Sequence, residues 1–277
     1  MALSSRNFEF VRELLHEEAA VVLQADKEYF VERRLEGLGG AYEKASADQV
    51  VEMLRSSQDG ELKTRVVESL LVHETSFFRD PGLMTHLADT VIPDLVAKRS
   101  GARSLRIWCA ACSTGQEPYT ISLLLQEHLD SPADWDIRIL ASDVSGQALD
   151  RARAGRYSIT DVNRGLPVRL LVRYFQQQGL VWQVNESTRS MVEFRQINLV
   201  ESWPELPVFD LVLLRNVLIY FGEDSRQTVL ERLHGQLAGD GYLVLGGTER
   251  IVAPRWRLAR KQAPSPFYQP IAESKVS

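Results

Sequence analysis

The chain has 277 residues, of which 44% are hydrophobic and 25% charged, and this composition excludes a mostly disordered, collagen-like or disulfide-stapled protein. The net charge of −5 argues against a general nucleic-acid binder, because neutralising phosphates needs a cationic face. No apolar run approaches the roughly 20 residues that span a bilayer, and no signal peptide is evident. Two cysteines fit a reducing compartment. We therefore expect a cytoplasmic protein without membrane insertion.

The first quarter of the chain predicts an N-terminal helical domain, residues 1–75. Apolar residues recur near a 3.6-residue spacing in the first helix: Phe8, Val11, Leu15 and Val22. Three more helices are predicted over residues 27–38, 47–55 and 61–72. This quarter holds the whole acidic excess, since residues 1–72 contain 9 basic and 14 acidic side chains and the rest contains 23 of each.

The texture of the sequence changes at about residue 104, where short apolar runs alternate with helical stretches. The apolar runs predict strands at residues 104–112, 137–142, 209–214 and 242–245. Near-continuous apolar strands alternating with helices indicate a doubly wound parallel sheet covered on both faces. We therefore predict an α/β domain over residues 76–270, followed by a tail at 271–277.

Between residues 157 and 198 the alternation breaks, and we predict a small inserted antiparallel β subdomain. Its strands are expected at residues 180–184 and 191–197, joined by a polar turn at 185–189. The adjoining stretch 151–173 holds six arginines against one acid, Asp161. That stretch either faces an anionic partner or is a solvated surface, and composition does not separate the two.

Polar or small residues follow three of the predicted strands, at the sheet edge where doubly wound folds bind ligands. Residues 111–115 after the first strand are small, and Gly115 can adopt a φ angle closed to other residues. Asp143, after the second strand, would either bind ribose hydroxyls or cap the next helix. Arg215 and Asn216 follow the third strand. The pattern is not G-x-G-x-x-G, so we predict an adenosine-containing cofactor rather than a dinucleotide.

Longer motifs give a family resemblance. HETSFFR at residues 73–79 resembles the N-E-T-x-F-F-R motif of the chemoreceptor glutamate methyltransferases, the CheR family. WCAACSTGQEPY at residues 108–119 resembles that family's W-x-A-x-x-S-T-G-E-E-P-Y segment, and further blocks match in order at 140–143, 198–199 and 209–221. The resemblance covers nearly the whole chain. It implies an S-adenosylmethionine (SAM)-dependent protein-glutamate O-methyltransferase with a Rossmann-like domain, giving glutamate methyl esters and S-adenosylhomocysteine.

The resemblance also implies which residues bind the cofactor. The family's cofactor-binding positions correspond to Thr75, Arg79, Glu117, Asp143, Asn198, Leu199, Asn216 and Val217. Glu117 suits the cofactor's amino group and Arg79 its carboxylate, although Arg79 could instead form an ion pair that fixes the linker after the helical domain. Arg79 and Tyr220 are candidates for orienting the substrate carboxylate.

The sequence departs from the family pattern at two positions, with His73 in place of Asn and Gln116 in place of Glu. The change at His73 puts a cofactor contact from that side chain in doubt, whereas Gln116 replaces only the first of the family's paired glutamates and Glu117 remains. Cys109 and Cys112 form a C-x-x-C at a strand end, which favours packing residues over a redox pair. The five histidines show no ligand spacing with these cysteines, so no metal is expected.

The implied partner is the cytoplasmic helical region of a membrane chemoreceptor. Some family members also bind a receptor C-terminal pentapeptide through a glycine-containing extension of a β turn. Because the turn predicted at residues 185–189 lacks glycine, we expect independence from that peptide. Two alternatives stay open: a SAM methyltransferase with another substrate, and a non-catalytic SAM- or receptor-binding adaptor. The sequence also leaves open whether the signalling pathway controls motility or surface attachment (biofilm formation). It leaves open as well whether the chain comes from a member with a C-terminal repeat domain.

Overall fold

A computed structural model of the chain describes residues 3–39, 45–57, 59–251, 254–259 and 267–271. The chain forms two compact units, one of Met1–Val72 with Tyr220–Arg226 and one of His73–Ile219 with Gln227–Ser277. The domain limits given above, 1–75 and 76–270, stay predictions. Except for Ile271, the predicted tail lies outside the described residues.

The first unit contains the four predicted helices. They are α1 Ser5–Ala19, α2 Glu28–Gly39, α3 Ala47–Ser56 and α4 Gly60–Leu70. Each of α1, α3 and α4 starts at a side-chain N-cap, from Ser4, Ser46 and Asp59 respectively, which satisfies otherwise unpaired N–H groups. Their apolar faces form one buried cluster. The four helices are thus confirmed, but α1 ends earlier than the Val22 spacing indicated, because Ala20 takes a left-handed conformation and caps the helix.

The second unit is built on a seven-stranded sheet of order β6-β2-β1-β7-β8-β10-β9. Its strands are β1 Ser104–Ala110, β2 Asp136–Asp143, β6 Val192–Gln196, β7 Phe209–Leu214, β8 Leu237–Leu245, β9 Trp256–Leu258 and β10 Phe267–Pro270. A separate three-stranded sheet has the order β3-β5-β4, with β3 Arg156–Ser158, β4 Phe175–Gln178 and β5 Val181–Val184. The helices are α5 Pro81–His86, α6 Ile92–Arg99, α7 Gln116–His128, α8 Gly146–Ala154, α9 Ile159–Asn163, α10 Val168–Tyr174, α11 Glu186–Arg189 and α12 Glu223–Gln236.

The five strands β6, β2, β1, β7 and β8 are mutually parallel, which confirms the predicted doubly wound sheet. Every residue of β7 is buried, as expected for a strand covered on both faces. Strands β9 and β10 add antiparallel pairs beyond β8. Because the parallel strands run the same way, their carboxyl ends lie along one edge of the sheet.

The inserted subdomain is real but its predicted strand pairing is wrong. Strand β5 pairs antiparallel with β3 and β4, whereas β6, the predicted second hairpin strand, pairs in parallel with β2 at the edge of the main sheet. The predicted polar turn at residues 185–189 is instead mostly the short helix α11, which carries the chain between the two sheets. The hairpin of the subdomain is β4–β5, and Gly179 and Leu180 connect its strands.

Candidate cofactor-binding site

The loop after β1 turns sharply at the carboxyl edge of the parallel strands. Ala111, Ser113 and Gly115 all have positive φ angles, of 59°, 51° and 93°. A Cβ atom on Gly115 would lie 2.8 Å from Ala152 Cβ, so this position needs glycine for both its conformation and its space. The loop leads directly into α7, which places Glu117 in the first turn of that helix.

Asp143 joins the loops after β1 and β2. Its Oδ2 accepts a hydrogen bond from the Ser113 N–H at 2.8 Å and its Oδ1 one from the Ser145 N–H at 3.0 Å. The N-cap of α8 is Ser145, whose hydroxyl accepts the Ala148 N–H, so Asp143 does not serve as that helix's cap. Burial raises the pKa of Asp143, and the backbone hydrogen bonds oppose this rise.

An ion cluster centred on the buried side chain of Arg215 lies at the end of β7, with Glu117 on its buried side and Asp80 on its exposed side. Arg215 Nη1 donates to Glu117 Oε2 at 2.6 Å, and Nη2 donates to Asp80 Oδ2 at 2.7 Å. Only 2% of the Arg215 side chain is exposed. Burial raises the pKa of Glu117, and the positive charge of Arg215 opposes this rise. Arg215 therefore favours the charged form of Glu117, which suits this carboxylate to a cationic group.

The same guanidinium holds the backbone beside Arg79, because Arg215 Nη2 also donates to the Arg79 carbonyl oxygen at 3.0 Å. The residues on either side, Phe78 and Asp80, have positive φ angles of 48° and 61°. Arg79 Nη1 donates to the Glu74 carbonyl oxygen at 2.8 Å. The Glu74 carboxylate pairs with Arg164 instead, so the hydrogen bond of Arg79 to Glu74 is to a backbone oxygen and is not an ion pair.

Four of the other predicted site residues follow strands at the same sheet edge, and two, Thr75 and Tyr220, lie elsewhere in the chain. Asn198 and Leu199 follow β6, and the Ile197 N–H donates to the Asp143 carbonyl oxygen at 3.1 Å. Asn216 and Val217 follow β7. Thr75 lies half-buried in the segment that precedes α5. Tyr220 belongs to the helical unit, where its carbonyl oxygen accepts the Val22 N–H at 2.8 Å, and its role in orienting a carboxylate stays a prediction.

Sequence reasoning missed two acidic residues at this edge, Asp80 and Glu249. Asp80 is the second carboxylate on Arg215. Glu249 is buried and accepts the N–H groups of Asn216 and Val217. Each contacts a residue of the family motifs. Neither follows directly after a strand, and the strand-end pattern therefore does not indicate them.

The two departures from the family pattern have structural partners of their own. The Gln116 side chain is buried and its Oε1 accepts the Thr114 hydroxyl at 2.8 Å. The His73 carbonyl oxygen accepts the Ser113 hydroxyl at 3.0 Å, which links the segment before α5 to the loop after β1. Both residues therefore help to shape the loop after β1, through contacts that do not depend on a ligand.

Cys109 and Cys112 are free thiols packed in the core of the second unit, and burial raises the pKa of both well above its ordinary value. Such thiols are protonated packing residues, as the strand-end position indicated. Within the described residues, no group of three or more His, Cys, Asp or Glu side chains could hold a metal ion. The helices in that part of the chain are all too short or too polar to cross a membrane.

Comparison with known proteins identifies the family of the chain. Residues 73–264 match the CheR methyltransferase SAM binding domain, and residues 6–71 match the CheR methyltransferase all-alpha domain. The chain belongs to the CheR methyltransferase family. It is 38% identical over 255 residues to chemotaxis protein methyltransferase 1 of Pseudomonas aeruginosa, covering 91% of this chain and 92% of that protein. It is 36% identical to chemotaxis protein methyltransferase Cher2 of Pseudomonas putida, with the same coverage.

A third relative, chemotaxis protein methyltransferase 1 of Vibrio cholerae, is 31% identical over 254 residues and covers 91% of each chain. This CheR-family chain is accordingly a SAM-dependent methyltransferase of the chemotaxis type, as the motifs implied. Its fold, a helical domain followed by a SAM-methyltransferase domain, is the one predicted from the sequence.

The residues at the sheet edge fit SAM on chemical grounds. Within the described part of the chain, Glu117 Oε1 accepts no hydrogen bond, so this buried carboxylate can take a cationic amino group. Arg79 offers a guanidinium that suits a carboxylate. Each Asp143 oxygen accepts one of the backbone N–H groups described above and keeps acceptor capacity for ribose hydroxyls.

Proposed function

We propose that this chain transfers the methyl group of SAM to glutamate side chains of a chemoreceptor, giving glutamate methyl esters in signalling adaptation. The observation that carries the proposal is the pairing of buried Arg215 with Glu117 and Asp80 and with the Arg79 carbonyl oxygen, at the sheet edge where Asp143 also lies and where this fold binds ligands. The similar chemotaxis methyltransferases support a receptor as the substrate. A receptor glutamate and SAM both meet this chain in the cytoplasm, which is where we place it.

The chain needs no general base for this reaction. When bound, SAM supplies an electrophilic methyl group on a sulfonium sulfur. A glutamate carboxylate, with a reference pKa of about 4.3, is already ionised near neutral pH and can attack directly. The chain's main contribution is to hold the two reactants together, which supplies on the order of 7–11 kcal/mol of the barrier.

Four residues carry the proposed binding roles. Glu117 binds the amino group, Arg79 binds the carboxylate, and Asp143 accepts the ribose hydroxyls. Arg215 keeps Glu117 charged and fixes the backbone at Arg79. The proposed cofactor site is completed by five more residues: Thr75, Asn198, Leu199, Asn216 and Val217. No metal takes part in the proposed mechanism.

The proposal is tested by incubating the chain with receptor-containing membranes and methyl-labelled SAM, then mapping the label by mass spectrometry. We expect base-labile esters on glutamate side chains, and no label with the Glu117→Gln variant. Label on another residue type or a small molecule would show a different methyltransferase. SAM binding without transfer to any receptor would show an adaptor.

We propose that α2 contacts the acidic receptor helices. Arg33 and Arg34 are exposed on α2, where their guanidinium groups stack over Tyr29 and Phe30 at 5.8 and 5.2 Å from the ring centroids. Within the cationic stretch 151–173, four of the six arginines are already engaged with carboxylates. These are Arg153, Arg164, Arg169 and Arg173. Arg65, the third cationic candidate of the helical domain, is paired with Glu61 on α4.

We therefore expect the double variant Arg33→Glu/Arg34→Glu to raise the KM for receptor roughly tenfold while the KM for SAM stays unchanged, because complementary charge acts on encounter with the partner. The matched control is Arg151→Glu/Arg156→Glu, which reverses two exposed arginines of the 151–173 stretch. Receptor titrations at low and high salt measure the KM for receptor of both double variants. A tenfold effect in the control alone would move the contact to the 151–173 stretch.

Independence from a receptor C-terminal pentapeptide stays a prediction, on a changed basis. Most of the turn predicted at residues 185–189 is the helix α11, and the hairpin turn between β4 and β5 does contain a glycine, Gly179. That connection is only two residues long, however, so it carries no extension. We expect isothermal calorimetry with the pentapeptide to give no saturable heat, and tight binding would refute this expectation.

A further inference from the structure

Glu249 makes an unusual set of contacts for a residue outside the motifs. Its Oε2 accepts the Asn216 N–H at 2.8 Å and the Gly246 N–H at 2.7 Å, while its Oε1 accepts the Val217 N–H at 3.0 Å. Only 4% of the residue is exposed. One carboxylate thus satisfies three backbone donors from the loops after β7 and β8, and hydrogen bonds to a charged acceptor are the strong ones.

These contacts hold a crowded arrangement around a left-handed residue. Asn216 has a φ of 57°, a conformation that asparagine adopts more readily than other non-glycine residues, and the hydrogen bond from its N–H to Glu249 fixes it there. A Cβ atom on Gly246 would lie 2.7 Å from Glu249 Oε2 and 3.0 Å from the Asn216 backbone nitrogen. The two loops are therefore packed backbone to backbone around the carboxylate.

The carboxylate acts beyond the part of the sheet that fixes the fold. The last paired residues of β7 and β8 are Leu214 and Leu245, and the clamped N–H groups belong to residues after that pair. The backbone hydrogen bonds between β7 and β8 already set the register of the two strands. The Glu249 carboxylate therefore determines the path of the two loops and not the pairing of the strands. The negative charge of Glu249 is also among those that raise the pKa of Glu117, which puts the two carboxylates within electrostatic reach.

We propose that Glu249 is a positioning residue for methyl transfer, which holds Asn216 and Val217 in the backbone conformation that binds the cofactor. The inference rests on the proposed function, because Asn216 and Val217 belong to the proposed cofactor site. It adds a residue that touches neither cofactor nor substrate and acts through these two.

The test compares Glu249→Gln with the matched control Glu231→Gln, an exposed residue of α12. In Glu249→Gln the side-chain amide must turn a donor toward at least one of the three backbone N–H groups. We expect the SAM Kd to rise roughly tenfold, equivalent to about 1.4 kcal/mol, and the receptor KM to stay unchanged. Amide hydrogen exchange at Asn216, Val217 and Gly246 should accelerate in the variant without SAM present.

Two further variants keep the test informative if Glu249→Gln folds poorly. Glu249→Asp retains the charge and should recover part of the SAM affinity. Gly246→Ala leaves Glu249 intact but forces the loops apart, and should reproduce the Glu249→Gln effects. Faster exchange with an unchanged SAM Kd in these variants would overturn the inference, since Glu249 would then serve the loops alone. Failure of the unaltered protein to bind SAM would instead overturn the proposed function.

Discussion

Replacing Arg215 with methionine should abolish methyl transfer and markedly destabilise the protein. Methionine fills much of the volume but removes the positive charge that faces Glu117 and Asp80. Removing one partner of a buried ion pair typically costs about 3–5 kcal/mol, a large share of the roughly 5–15 kcal/mol that stabilises a folded domain. Chemical denaturation measures the loss of stability, a methyl-transfer assay measures the loss of activity, and a SAM titration shows how much of that activity loss is lost cofactor affinity. The control, Arg138→Met, changes an arginine whose side chain is 72% exposed and should alter neither.

The loss of SAM affinity in Arg215→Met should depend on pH in a defined direction. Without the guanidinium, burial raises the pKa of Glu117 further, so more of this carboxyl is protonated and unable to bind a cationic amino group. Affinity should therefore improve as pH rises through that raised pKa. A pH-independent loss of affinity would show that Arg215 acts only by holding the backbone at Arg79.

A double variant separates stability from activity. In Arg215→Met/Glu117→Gln the uncompensated buried charge is gone, so the free energy of unfolding should recover part of its loss, and methylation should not recover. The coupling between the two substitutions is the measured interaction of the pair. If the double variant is as unstable as the sum of the single variants, the two side chains do not stabilise each other as their 2.6 Å contact indicates.

The parallel core could be predicted because its strands carry a strong local signal. Runs such as residues 211–214 are continuously apolar, which is the pattern of a strand covered on both faces. The pairing of β6 could not be predicted the same way. Its alternating exposed residues suit an antiparallel hairpin as well as a sheet edge, and the choice depends on α11 carrying the chain across to β2. Periodicity describes one strand, whereas pairing is decided by distant contacts.

The site residues show the same difference between local patterns and distant contacts. Glu117 and Asp143 lie in recognisable motifs next to strands, so the sequence indicated them. Asp80 and Glu249 act through partners far along the chain: Asp80 binds a guanidinium 135 residues away and Glu249 an N–H group 33 residues away. No spacing rule connects such pairs, because the fold alone brings them together. Their function became visible only from hydrogen-bond geometry.

Asp143→Asn should weaken SAM binding while leaving a folded protein. The amide retains one acceptor oxygen for the Ser113 or Ser145 N–H but loses the charge and acceptor capacity proposed for the ribose hydroxyls. Hydrogen bonds to charged groups contribute about 1.5–3 kcal/mol each, so we expect a loss of about 2–3 kcal/mol, or roughly 30- to 150-fold in Kd. The matched control is Asp150→Asn, an exposed acid on α8 paired with Arg153.

The pH dependence of stability and SAM affinity in the unaltered protein provides a second test of the role of Asp143. Because burial raises the folded-state pKa of Asp143 above its unfolded value, its protonated form favours the folded chain. That contribution to stability is present at low pH and is lost as pH rises through the folded pKa. SAM affinity should have the opposite dependence, since the ribose needs the carboxylate. Calorimetric SAM titrations at several pH values should therefore show affinity rising with pH, less steeply in Asp143→Asn, and equal slopes in both proteins would remove Asp143 from the cofactor site.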